Sequence, residues 1–125
     1  MEYKEEYDLY MASIAAHEKE MQSENPRDVT GAIVQLEIIY ARIANAVSDL
    51  QLEYDQAYKD IKEIAIMNGQ KITDKSTEIE ARLRIFEKHQ VTLGHWKRLL
   101  DAYERLSNGL KKRAESLYNQ INGGV

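Results

Sequence analysis

The sequence predicts an all-α protein, an elongated antiparallel helical hairpin or coiled-coil bundle with an additional N-terminal helix. Three observations carry this. An apolar repeat of 3.5 residues runs unbroken from Val29 to Asn68. The chain holds one proline in 125 residues, too few for the turns of a β-sandwich. It has no cysteine, which removes a disulfide framework, thiolate metal sites and cysteine nucleophiles. The chain reads as a single helical domain over 1–125.

The first helix, within residues 1–24, is expected from about Glu2 to Gln22. Tyr3, Tyr7, Tyr10, Met11 and Ile14 recur at helical spacing, and Met21 extends the stripe. Glu2, Glu5 and Glu6 suit the positive end of the helix dipole. Asn25 then offers an N-cap and Pro26 a first-turn residue for the second helix, with Thr30 as a competing start.

The second helix, 26–68, is the strongest signal. Val29, Ile33, Leu36, Tyr40, Ile43, Val47, Leu50, Tyr54, Ala57, Ile61, Ile64 and Asn68 alternate steps of four and three. A sustained heptad requires a long helix wound on a partner. Some 40 residues at 1.5 Å each span roughly 60 Å, hence the elongated expectation. Asn68-Gly69 supplies the stop.

The third helix, 73–122, is expected to open near Thr73 or Asp74, with Thr77 and Glu80 as a competing capping box. Ile79, Leu83, Phe86, Gln90 and Leu93 keep the rhythm, which then slips. Trp96, Leu100, Tyr103, Ser107, Leu110, Ala114, Leu117 and Ile121 resume it three residues after Leu93 instead of four. Gly94 sits at the slip, so a bend or break is expected there, and Asn108-Gly109 offers a second.

Ile38, Leu52 and Ile66 lie fourteen residues apart, opposite the seam of the second helix. Ala32, Ile39 and Ala46 widen the apolar arc. One partner helix cannot cover so much circumference. Other subunits are the preferred cover, making these three an oligomer interface. The first helix and the C-terminal turns are the alternative.

Little suggests catalysis. His17, His89 and His95 form no Glu-x-x-His or His-x-x-x-His spacing. The serines stand in no nucleophile elbow, and no glycine loop cradles phosphate. A non-enzyme without metal, cofactor or small-molecule substrate is expected. No membrane span and no signal-peptide pattern is read, so the expected location is the cytoplasm, or a host's cytoplasm if the chain is phage-encoded.

The net charge of −4 hides an asymmetry. Residues 1–68 carry six Lys/Arg against fourteen Asp/Glu, and residues 69–125 eleven against seven. Arg82, Arg84, Lys88, His89, His95, Lys97, Arg98 and Arg105 crowd the third helix, and Lys111, Lys112 and Arg113 follow as a run. Trp96 and Tyr103 are interleaved. Cations beside aromatic rings are what single-stranded nucleic acid requires. Both rings also sit on the heptad stripe, where core packing is the competing role.

The stretch Leu93-x-x-Trp96-x-x-Leu99-Leu100-Asp101 resembles the recombination mediators of T4-type phages, the UvsY family. Leu110, Lys112, Arg113 and Ile121 match that family's trailing helix loosely, and Asn68-Gly69 resembles its Ser-Gly stop. The likeness covers about residues 30–121. It implies a ring-forming homo-oligomer that binds single-stranded DNA, the single-strand-binding protein and the recombinase, and loads the recombinase onto covered DNA. The family's basic Lys-x-Arg before its loop is replaced here by Ile61-Lys62-Glu63. DNA contact is therefore expected at Arg82, Lys88, Lys97, Arg98 and Arg105, with Lys111, Lys112 and Arg113 as a second contact. Two other readings stay open. One is a phage inhibitor that presents acidic faces at 2–24 and 49–63 to a basic nucleic-acid groove. The other is a purely structural coiled-coil unit.

Overall fold

The computed structural model describes residues 2–73 and 76–123. It is all-α: α1 spans Glu2–Glu20, α2 Pro26–Met67 and α3 Thr77–Gly123, with no strand among the described residues. The chain divides into two compact units, one of residues 1–44 and 98–125, the other of residues 45–97.

The first is a three-helix unit. Asn25 caps α2: its Oδ1 accepts the Arg27 N–H at 3.0 Å, and Pro26 occupies the first helical position. Thr30 is not the start; its hydroxyl back-bonds to the Pro26 carbonyl inside the helix. The α1–α2 loop is tied down by Arg113, whose Nε donates to the Ser23 carbonyl at 3.1 Å. Short connections make α1 antiparallel to α2. Rising partner numbers, Tyr10 with Tyr103 and Ser23 with Arg113, run α1 parallel to α3. Val29, Leu36, Ile43, Leu99, Tyr103 and Leu110 are almost wholly buried, with Leu106 and Leu117 close behind. On α3 this is a wider arc than the predicted stripe. Leu99 and Leu106 are added because α3 here faces two helices instead of one.

The second is a two-helix unit. Contacts pair Tyr54 with Phe86, Glu53 with His89, and Asn68 with Glu78. Numbers rise on one helix as they fall on the other, so the pair is antiparallel. Its buried side chains are Leu50, Ile61, Ile79, Leu93 and Trp96, with three alanines, Ala46, Ala57 and Ala65. Gly69 ends α2 at φ +63°. The Gln70 N–H reaches the Ala65 carbonyl at 2.7 Å and the Gly69 N–H that of Ile66 at 3.1 Å, a Schellman closure.

Several boundaries differ from expectation. α1 stops at Glu20, and α2 at Met67. α3 starts at Thr77, because Ser76 is the cap: its Oγ accepts the Ile79 N–H at 3.2 Å. Thr73 lies in a turn, and Asp74 falls outside the described residues. The expected break at Gly94 or Gly109 is absent, since α3 runs through both. The slip instead falls where α3 leaves one unit for the other and its set of neighbouring helices changes. A change of seam satisfies the dropped residue without breaking the backbone hydrogen bonds.

Candidate interaction surfaces

The most polar part of the interior lies in the three-helix unit. Tyr10, His17 and Ser107 are buried, and Tyr103 is 0% exposed. The Tyr103 hydroxyl donates to the Tyr10 carbonyl at 2.6 Å. The Tyr10 and His17 rings meet the Tyr103 ring edge-on, at 6.3 and 6.0 Å between centroids. His17 Nδ1 lies 3.3 Å from Glu20 Oε2. Burial pushes the Tyr103 hydroxyl up to about 12, against the hydrogen bond with Ser13, which lowers it. A phenol so placed stays protonated at neutral pH and fixes helix register. His17 completes the heptad Tyr3, Tyr7, Tyr10, Ile14, His17, Met21, which places it inward although its spacing to other histidines marks no site. Met11, assigned to that stripe, faces outward.

The predicted aromatic partners of the basic residues are therefore closed to bases: Trp96 is 2% exposed and Tyr103 fully buried. The basic side chains themselves separate into two groups. Arg113 is half-buried and committed to Ser23. Lys111 pairs with Glu37 at 3.3 Å. Arg82 and Arg105 reach back to carbonyls one turn earlier, those of Glu78 and Asp101. Lys88, Lys97, Arg98 and Lys112 are exposed, and none has an ion pair among the described residues. They do not stand on a basic unit. The three-helix unit carries nine Lys/Arg against twelve Asp/Glu, and the two-helix unit eight against nine.

The off-seam apolar positions of α2 are open. Ile38, in the three-helix unit, is 52% exposed. Leu52 and Ile66, in the two-helix unit, are 68% and 78% exposed, and Met67, Ile85 and Val91 point outward there too. Intramolecular cover reaches only the flank of the arc, burying Ala32 and Ala46 and half-burying Ile39. An open groove of about 650 Å³ between α1 and α3 is lined by Ile14, Met21, Ala102 and Leu106 with Glu18 and Arg105.

Among the described residues no group of three or more His, Asp or Glu side chains is arranged to hold a metal ion. None of the described helices is long and apolar enough to cross a membrane. No family model, no curated protein and no solved structure matches the chain.

Proposed function

We propose that this chain acts without covalent chemistry, as a helical subunit that assembles with copies of itself and binds single-stranded DNA in the manner of a phage recombination mediator. The observation that carries the reading is the outward placement of Leu52, Ile66 and Met67 on a unit of only two helices. Apolar surface of that kind favours association. Lys88, Lys97, Arg98 and Lys112, exposed and without an ion pair among the described residues, supply phosphate contacts, and assembly multiplies them. That repetition offsets the slight acidity of each subunit. A recombinase and a single-strand-binding protein are the protein partners the resemblance implies.

Fluorescence anisotropy with a labelled oligothymidylate tests the DNA arm. Binding should weaken as salt rises. Changing Lys97 and Arg98 together to Ala should weaken it further and flatten the salt slope by about two contacts. Unchanged affinity and slope in the double variant would clear this surface of the role.

The acidic surplus of both units favours a second reading, an inhibitor that occupies a basic protein groove. That reading predicts no oligonucleotide binding and tight, salt-sensitive binding to a basic protein.

A further inference from the structure

One face of α2 in the three-helix unit is built as a near-palindrome. Gly31, Val34, Ile38 and Ala41 are all exposed and fall on one helical stripe, opposite buried Val29, Leu36 and Ile43. Asp28, Gln35 and Arg42 are seven apart and run along one rim of that stripe, all exposed. Two antiparallel helices related by a two-fold axis bring the same rim of each together. An axis beside Gln35 and Leu36 sets Asp28 against the second copy's Arg42, and Arg42 against its Asp28. In the same register Val34 meets Ile38, and Gly31 meets Ala41. Large pairs then fill the centre, and small pairs let the backbones close at both ends.

Two further observations agree. Gly31 lies inside a helix, where glycine costs about 1 kcal/mol relative to alanine, yet a Cβ there would meet nothing within 4 Å in its own chain. Nothing within the subunit requires it. The opposite rim would bring Glu37 near its own copy, and Glu37 is already neutralised by Lys111 of its own chain at 3.3 Å.

We infer that this face is an isologous contact, taking the same face of a second copy of this chain in antiparallel register with paired Asp28–Arg42 contacts. The inference rests on the assembly reading and specifies its geometry. Closed two-fold pairing requires a self-complementary patch, which this sequence supplies. Leu52 and Ile66 belong to the other unit and would serve a separate contact.

Charge exchange tests it. Arg42→Asp places two carboxylates at each contact, and Asp28→Arg places two cations. Each single variant should self-associate about tenfold more weakly than the parent by sedimentation velocity in low salt. Mixing the two single variants makes both contacts complementary again, so association should return in the mixture and in the doubly exchanged chain. Gly31→Leu, whose Cβ would meet nothing within 4 Å in its own chain, should also weaken association while retaining helix content. Single variants that associate like the parent would overturn this geometry while leaving assembly intact. Loss without recovery in the mixture would overturn it too. A parent that stays monomeric would remove both the assembly reading and this contact.

Discussion

The three-helix unit and the two-helix unit draw on the same heptad sequence and finish it differently. In the three-helix unit α3 buries Leu99 and Leu106 as well as Tyr103 and Leu110, because α1 and α2 cover two sides of it. In the two-helix unit each helix has one neighbour and buries one seam. Three of the five side chains that α2 buries there are alanine, and Leu52, Ile66, Met67, Ile85 and Val91 stay outside. A third helix lets α3 bury a second stripe, yet it does not clear the outer faces: Leu9, Met11, Val34 and Ile38 stay exposed on the three-helix unit too. The contrast also sorts the polar groups. Tyr103, His17 and Tyr10 are enclosed and mutually packed, whereas exposed Tyr58 meets half-buried Phe86 at a 43° tilt, with the Lys62 ammonium 4.5 Å from the Tyr58 ring centroid.

Core truncation should show the difference most strongly. Leu36→Ala in the three-helix unit should cost about 3–5 kcal/mol by denaturant unfolding. Leu93→Ala in the two-helix unit should cost nearer ~2 kcal/mol, because a thinner core relaxes more easily around the lost atoms. Equal losses would mean that the two cores are equally constrained.

Alkaline titration follows in size and touches one unit only. The Tyr103 pKa is raised in the folded chain to about 12 from an unfolded value of 10.0. Its contribution is therefore fully present below pH 10 and is lost as pH rises through 12. The loss should be on the order of 2 kcal/mol across that window. Tyr103→Phe should abolish this component and lower neutral-pH stability by about 1 kcal/mol through the missing bond to Tyr10. A Phe variant with the parent's alkaline profile would assign the transition elsewhere.

Glycine replacement gives the smallest effects and separates two sites within one helix. Gly94→Ala meets nothing within 4 Å and should stabilise by roughly 1 kcal/mol, raising Tm. A Cβ at Gly109 would stand 3.0 Å from the Met21 methyl, so part of that gain should go into moving the methionine. Equal gains at both would show that Met21 moves without cost.

These differences explain what was legible beforehand. The α2 seam was, because a helix with one continuous partner face writes its period directly into sequence. Gly69 as a stop was legible too, since a left-handed position favours glycine. The exposure of Ile38, Leu52 and Ile66 followed from their place opposite the seam. Leu99 and Leu106 were not assigned to the core, because a second stripe has meaning only once a third helix is placed beside α3. His17 and Arg113 were opaque for the same reason. Their partners Tyr103 and Ser23 are 86 and 90 residues away in the chain, and no local period encodes such contacts. The slip at Gly94 read as a weakness of the helix. It marks an exchange of neighbours, which only the packing reveals.

If the exposed apolar side chains of the two-helix unit form an assembly surface, the mass in solution depends on them. Light scattering at micromolar concentration, on the parent and on Leu52→Glu combined with Ile66→Glu, tests it most directly. Both side chains are exposed, so the double variant should keep its helix content by circular dichroism. The parent mass should exceed that of a dimer of the 14.5 kDa chain and should fall in the double variant. A parent of 14.5 kDa, or a double variant with the parent's mass, would contradict it.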